Sequence, residues 1–315
     1  MGVKSPNLSL KISECNIQIF FKIFEQVLKK YQEQSLQPGS EQETQFIASI
    51  AAEIDFTKVF NYLFETMRGL LIYAKEGEFD KLFIENNLIP QLAQVILKLY
   101  CEHSDLVLKL TSKTVNKKII SNDEQLYDLI NYVIGTIKCF TQTSKEVQKV
   151  TVKNQMIAVI SKALHTTFNF GTNQTKQSMI LVQISGTLRN LANVEESYGL
   201  LLSCKVLPKL CEIFGDERFK GHKELIMNIS RLLSKVSIDY NCAEQLVNTH
   251  KTQVFLNMMG QYKDNSAVLI RIAFVLGNLT THYDKARKEL CETPDCFSKV
   301  IHLALFYLSG QVQQV

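Results

Sequence analysis

The sequence predicts an all-α fold, a solenoid of about six helical repeats. The first indication is an apolar spacing of +3, +7 and +10, as in Leu181, Ile184, Leu188 and Leu191. Side chains at this spacing lie on one stripe of an α-helix. Five further stripes have this spacing, and Thr66 is the one position that interrupts their apolar pattern. They are Phe21/Phe24/Leu28/Tyr31, Leu63/Thr66/Leu70/Tyr73, Ile130/Val133/Ile137/Phe140, Ile226/Ile229/Leu233/Val236 and Leu269/Ile272/Leu276/Leu279. Each stripe predicts one buried inner helix.

The second indication is the interval between stripes. The last residues of the six stripes are Tyr31, Tyr73, Phe140, Leu191, Val236 and Leu279, so the intervals are 42, 67, 51, 45 and 43 residues. Periods in the forties with one buried helix per unit are typical of helical solenoids. A protein of this class works through its surface, and its fold does not require a catalytic centre.

The third indication is a corner after each stripe. Pro90 and Pro208 lie seventeen residues after the ends of their stripes, and apolar residues resume just beyond them. Proline suits the first turn of a helix, where its missing N–H would be unpaired in any case. Each unit is therefore predicted to contain a long inner helix, a short helix, a corner and an outer helix. The short helices are expected at about 76–86, 144–154, 195–204, 239–248 and 284–292.

Composition narrows the class of protein. The 315 residues are 46% hydrophobic and 21% charged, and the net charge of +4 neither suggests nor excludes nucleic acid as a partner. No run of residues resembles a signal peptide or approaches the length of a membrane span. Eight cysteines in such a chain are expected to be reduced, buried thiols. The missing signal peptide and the reduced thiols predict a cytoplasmic or ciliary protein. We expect its partner to be a protein, with no nucleic acid, membrane or small-molecule substrate.

The predicted organisation is a disordered lead-in at 1–13 followed by one solenoid at 14–315. An insertion at about 102–125 is expected to form a solvated loop or an extra surface helix. Its basic residues could alternatively dock an acidic partner, and these are Lys109, Lys113, Lys117 and Lys118. The apolar helix at 296–308 lacks an evident polar cap, so its face either meets a partner or belongs to a longer array.

Few residues suggest chemistry. Cys291 and Cys296, with His282 and His302 nearby, form the one cluster worth considering for a metal, but the spacing lacks a paired C-x2-C element. Core thiols are the simpler expectation. No phosphate-binding loop, nucleophile elbow or H-E-x-x-H pair occurs. The sequence therefore predicts a protein without a cofactor or enzymatic activity, with a metal protein or an enzyme built on Cys291 and Cys296 as the alternative.

The inner helices offer candidate binding residues. Positions one and five residues before the end of each stripe should point toward the concave side, away from the core. The partner-binding residues predicted at these positions are Arg68, Asn190, Arg231, Lys235, Phe274 and Asn278, and Arg189, next to Asn190, is predicted with them. An asparagine amide can donate to and accept from the backbone of an extended peptide, and arginine favours acidic or phosphorylated groups. The alternative is a merely solvated helix face.

Two segments resemble the third-helix motif of the armadillo-repeat family, namely residues 186–192 (GTLRNLA) and 275–280 (VLGNLT). The Val206-Leu207-Pro208 corner also fits that family. The resemblance implies a right-handed α-solenoid that acts as a protein-binding scaffold or adaptor, with asparagines along its peptide groove. Importin-type nuclear-transport adaptors are the second candidate. Their ladder of tryptophans and asparagines is represented here only by Asn190 and Asn278, because the chain contains no tryptophan.

Within that family, residues 269–280 (LIRIAFVLGNLT) resemble a member from motile cilia and sperm flagella. This narrower resemblance implies a role in assembling or transporting axonemal complexes such as radial spokes. The implied partner is a protein, held through an extended or acidic segment.

Overall fold

The computed structural model describes a chain that is almost entirely helical and divides into two compact units, Met1–Leu191 and Ala192–Val315. A single array was expected, and the division lies at the end of an inner helix rather than in a polar loop. The residues that the structure describes are 6–34, 37–76, 79–111, 113–115, 118–120, 123–169, 173–249 and 251–312.

The first unit contains ten α-helices within its described residues, one π-helical segment and a two-stranded hairpin. These are α1 (Pro6–Glu33), α2 (Glu41–Ile54), α3 (Phe56–Glu76), α4 (Asp80–Glu85), α5 (Leu88–Gln94), the π-helix (Val95–Glu102), α6 (Ser104–Thr111), β1 (Lys113–Val115), β2 (Lys118–Ile120), α7 (Asp123–Thr143), α8 (Lys145–Lys153), α9 (Met156–Asn169) and α10 (Gln174–Leu191). The strands are antiparallel.

The second unit contains eight α-helices and one 3₁₀ turn within its described residues. These are α11 (Ser197–Ser203), α12 (Val206–Phe214), the 3₁₀ turn (Glu217–Phe219), α13 (Lys223–Val236), α14 (Tyr240–Asn248), α15 (Thr252–Gln261), α16 (Ser266–His282), α17 (Asp284–Glu292) and α18 (Cys296–Val312). The chain thus repeats a short helix, an outer helix and an inner helix, as the sequence predicted.

The stripes form the core. The inner helices are α3, α7 and α10 in the first unit and α13 and α16 in the second. Every stripe residue of α7, α10 and α13 is buried, and Leu188 and Leu233 have no exposed surface. In the first two stripes the burial is incomplete, since Leu28, Tyr31 and Tyr73 are half-buried. The predicted all-α solenoid class is confirmed, with five inner helices that follow the repeat.

The first stripe lies on α1, which runs antiparallel to the neighbouring inner helix α3. Ring contacts join Phe24 to Phe56 and Phe20 to Phe60, and Asn16 donates to Thr66 Oγ1 over 3.1 Å, so residue numbers rise along α3 as they fall along α1. The other neighbouring inner helices within each unit run parallel. The first helix also begins at Pro6 with Leu10 fully buried, so the expected disordered lead-in is wrong from residue 6 onward. Residues 1–5 lie outside the described part.

Four of the five corners turn through a left-handed residue immediately before the outer helix, whereas Lys251, before α15, has a φ of -89°. Asn87, Gln155, Lys205 and Asp295 have φ between 49° and 59° and directly precede α5, α9, α12 and α18. Side chains rarely adopt this conformation, so its recurrence marks one turn geometry shared by the repeats. The corner predicted from Pro90 and Pro208 therefore exists, and each proline lies in the first turn of its outer helix.

The insertion packs partly inward. Leu106, Val107 and Leu110 of α6 are buried, and the hairpin, which the sequence did not predict, follows this helix. Lys109 donates over 2.8 Å to the carboxylate of Glu43, which is only 1% exposed. Lys109 thus fastens α6 to α2. The side chains of Lys113, Lys117 and Lys118 lie outside the described part.

Candidate partner-binding face

In the first unit, the predicted binding residues are spread over non-adjacent helices. Arg68 is exposed on α3 and forms an ion pair with Glu65 at 3.4 Å. Arg189 and Asn190 lie on α10, and α7 packs between α3 and α10. Asn190 is 4% exposed, and its Nδ2 donates to the Lys138 carbonyl at 3.0 Å while its Oδ1 accepts from Arg189. The amide of Asn190 is therefore engaged within the unit.

In the second unit, the predicted residues come together. Arg231 and Lys235 lie on α13, and Phe274 and Asn278 lie on the adjacent α16. Asn278 is half-buried and donates through Nδ2 to Ser237 Oγ at 2.9 Å. The Lys235 ammonium donates to the side-chain oxygen of Asn193.

The structure adds Arg271 and Ile270 to this group, which the sequence argument missed. Arg271 lies on α16 close enough to Arg231 of α13 for the two charges to interact, and its Nη1 donates to the Ala267 carbonyl of its own helix at 2.6 Å. Ile270 is 54% exposed and precedes Phe274 by one helical turn. We call the exposed surface formed by Arg231, Lys235, Ile270, Arg271 and Phe274 the α13–α16 face.

The charges of Arg231 and Arg271 on this face have no carboxylate partner within the described residues. Burial lowers the pKa of the Arg271 guanidinium, and the nearby charge of Arg231 lowers the same pKa further. Two cations that repel each other in a partly desolvated place favour an anionic group between them. Because guanidinium presents a planar set of donors, a carboxylate or phosphate oxygen pair is the matching ligand.

Exposed apolar side chains lie on the same two helices or just beyond them. Phe274 is 62% exposed, and two residues just beyond α13, Ile238 and Tyr240, are 71% and 57% exposed. Exposed large apolar side chains grouped beside unpaired cations are typical of a surface that meets another protein. The α13–α16 face can therefore receive acidic groups and apolar side chains from one segment.

The cysteine cluster does not form a metal site in the described residues, where no three His, Cys, Asp or Glu side chains are grouped as ligands. All eight cysteines are free thiols. Burial raises the pKa of the Cys296 thiol. Burial also raises the pKa values of the Cys211 and Cys242 thiols, each to about 12. A protonated thiol is a poor metal ligand and nucleophile.

One further geometric fact concerns membranes. Among the helices that the structure describes, none combines the length and the apolar character needed to span a bilayer.

The fold and this face define the class. Within each unit, parallel inner helices alternate with short helices and outer helices, and a left-handed corner precedes α5, α9, α12 and α18. This arrangement is an α-solenoid of the armadillo type, the class that presents protein-binding surfaces. Comparison with known proteins agrees. The chain is 27% identical over 224 residues to armadillo repeat-containing protein 2 of Bos taurus, covering 63% of this chain and 26% of that protein. It is 25% identical over 243 residues to the Homo sapiens protein of that name, covering 69% and 28%.

This chain therefore spans about a quarter of the length of the curated relatives that it matches. No family model matches the sequence.

Solved structures share the fold. The designed armadillo repeat protein YIII(Dq)4CqI aligns with a TM-score of 0.50 at 12% identity, covering 77% of this chain and 92% of that one. A related design solved in complex with the peptide (KR)4 aligns with a TM-score of 0.51 at 11% identity, covering 78% and 92%. At these identities the likeness concerns the fold alone.

Proposed function

We propose that this protein is a non-enzymatic scaffold that binds an extended, acidic segment of a partner protein on the α13–α16 face. The observation that carries the proposal is the pair of guanidinium groups of Arg231 and Arg271, close enough to repel and without a carboxylate partner in the described residues. An acidic side chain of the partner removes that repulsion, and Phe274 with Ile270 supplies apolar contact area beside it.

The same charges argue against an importin-type adaptor. A basic signal peptide would bring further positive charge to Arg231, Lys235 and Arg271, at an electrostatic cost. The designed relative with the (KR)4 peptide binds a ligand of that basic type. The second function thus requires the opposite electrostatic character from the one that this face has.

Fluorescence polarisation tests the proposal. The probe is a fluorescein-labelled peptide of alternating Glu and Leu, compared with its Lys-and-Leu counterpart. The parent should bind the acidic peptide, and the double variant Arg231→Glu/Arg271→Glu should bind it at least about tenfold more weakly. Lys285→Glu changes an exposed charge on α17 and is the control. Equal binding by the parent and the double variant, or preference for the basic peptide, would reject the proposal.

We further propose that the partner belongs to an axonemal complex of motile cilia or flagella, such as the radial spokes, and that the protein works in the cytoplasm and the axoneme. The resemblance of residues 269–280 to a ciliary armadillo protein supports this finer proposal. A tagged protein expressed in ciliated cells should concentrate in the cilium. A distribution that is the same in ciliated and non-ciliated cells would contradict it.

A further inference from the structure

A second surface of the second unit, separate from the α13–α16 face, is an open apolar groove of about 450 Å³. Its walls come from α15, α16, α17 and α18. Those walls are Met259, Leu276, Leu290 and Val300 with the small residues Ala273 and Gly277 at the base. The α18 wall is itself exposed, with Phe297 at 63% and Ile301 at 56%.

The preceding repeat of the same unit shows which element fills the corresponding place there. The stripes of α13 and α16 are 43 residues apart, so Ser230, Leu233 and the following C-cap residue Ser237 correspond to Ala273, Leu276 and Thr280 of α16. Ser230, Leu233 and Ser237 are 2%, 0% and 0% exposed because α16 packs against α13. Their counterparts on α16 line the groove instead. The groove is thus the place that an inner helix occupies on α13.

A hydrogen bond recurs at this packing. Thr141 follows the last stripe residue of α7, and its hydroxyl donates to its own helix while Nδ2 of Asn190 approaches it at 3.4 Å. Ser237 follows the last stripe residue of α13 and accepts from Asn278 Nδ2 at 2.9 Å. Thr280 holds the same position on α16.

The hydroxyl of Thr280 donates to the Leu276 carbonyl over 2.8 Å, and its oxygen accepts no hydrogen bond from the residues described. A vacant acceptor therefore lies where the two earlier inner helices receive an asparagine amide. The acceptor and the apolar walls specify the same kind of occupant.

From these matches we infer that the groove docks one amphipathic α-helix supplied by a partner chain. This helix carries apolar residues at i, i+3, i+7 and i+10 and an asparagine at i+9, and it runs parallel to α16. The apolar stripe covers the walls of the groove, and the asparagine amide donates to Thr280 Oγ1. Small residues at the base, Ala273 and Gly277, let the two backbones approach closely.

The test uses a helix of known type as probe. A fluorescein-labelled peptide of residues 266–282, with two lysines added at each end for solubility, has the required stripe and asparagine. It should bind the full 315-residue chain in a polarisation assay. A second peptide, with serine in place of the apolar residues at 272, 276 and 279, should not bind. Equal binding of the two peptides would overturn the inference.

Protein variants locate the site. Ala273→Glu places a charge at the base of the groove and should weaken binding of the helical probe at least about tenfold. Thr280→Val removes only the acceptor and should weaken it about three- to tenfold, as expected for one hydrogen bond. Gly260→Glu adds the same charge on α15, where an added Cβ meets nothing within 4 Å, and serves as the control. Unchanged binding by Ala273→Glu would place the probe elsewhere and overturn the inference.

Two measurements distinguish the groove from the α13–α16 face and from a dimer interface. Ala273→Glu should still bind the acidic Glu-and-Leu peptide, and Arg231→Glu/Arg271→Glu should still bind the helical probe. Loss of binding at one surface can therefore be observed independently of the other. Circular dichroism should show that every variant remains folded. Sedimentation of the protein without peptide should show no concentration-dependent dimer. A dimer that Ala273→Glu abolishes would instead make a second copy of the chain the occupant.

Discussion

Asn278 on α16 donates through Nδ2 to the hydroxyl of Ser237, just beyond α13, at 2.9 Å. In the first unit, Asn190 makes the equivalent link to α7, with its Nδ2 3.0 Å from the Lys138 carbonyl. Both asparagines were predicted from the sequence to face a partner. In the structure, each asparagine ties an inner helix to the preceding one. These side chains therefore already fix the register between neighbouring inner helices.

The first prediction tests this link with a double-mutant cycle. Asn278→Ala and Ser237→Ala should each destabilise the protein by about 0.5–1.5 kcal/mol, and the double variant should cost less than the sum of the two because the same hydrogen bond is lost only once. Urea unfolding of the four proteins measures the coupling free energy. Strict additivity would show that the two side chains do not interact.

How far the sequence predicts this fold depends on the kind of information involved. The expected short helix at 284–292 coincides with α17, because polar residues at the start of a helix and apolar periodicity along it are local signals. A stripe reveals which face of a helix is buried but not the direction of its neighbour, so the reversal of α1 could not be read from it. The π-helix at Val95–Glu102 follows α5 directly in a mostly apolar run, and apolar periodicity does not reveal a change from α-helix to π-helix.

The candidate site was predicted in part for a similar reason. Arg231, Lys235 and Phe274 were found because they occupy repeat positions opposite the stripe. Arg271 lies on the flank of α16, and only the packing of α16 on α13 places its guanidinium beside that of Arg231. A repeat-to-repeat comparison of flank positions is the signal that could have found it.

The second prediction concerns the core. Leu188→Ala and Leu233→Ala should each destabilise the protein by about 2–5 kcal/mol, because both side chains are fully buried and truncation leaves a cavity. Thermal and urea unfolding measure the change. Ile238→Ala, at a residue 71% exposed, is the control and should change the free energy of unfolding by less than about 0.5 kcal/mol. If all three variants unfold like the parent, the stripes are not core.

The third prediction concerns pH. Burial raises the pKa of Glu43, but hydrogen bonds from Lys109, Tyr31 and the Gly39 backbone outweigh it and hold that pKa below its usual value. A carboxyl with a lowered folded pKa stabilises the protein above its unfolded pKa of about 4.3, and this contribution is lost as the pH falls through the folded pKa.

Lys109→Met should therefore destabilise the protein most at neutral pH, by about 1–3 kcal/mol, because it leaves a buried carboxylate short of a partner. Urea unfolding at pH 7 and at pH 4 measures the difference, which should shrink at the lower pH. Lys29→Met is the control, since its ion pair with Glu33 is 4.0 Å long and mostly exposed, and it should cost less than about 1 kcal/mol at either pH. A cost for Lys109→Met that does not change with pH would show that Glu43 does not titrate with folding.

The fourth prediction separates the two surfaces of the second unit with a matched pair of phenylalanines. Phe274 on the α13–α16 face and Phe297 on the groove wall are 62% and 63% exposed, so replacing either one by alanine should change the free energy of unfolding by less than about 0.5 kcal/mol. Phe274→Ala should weaken the acidic Glu-and-Leu peptide by about five- to thirtyfold, as expected for an aromatic contact residue worth about 1–2 kcal/mol, and Phe297→Ala should not. The helical probe should show the reverse order in the same polarisation assay. Equal losses for both peptides in both variants would mean that the two phenylalanines serve one binding surface, because independent surfaces cannot share every contact.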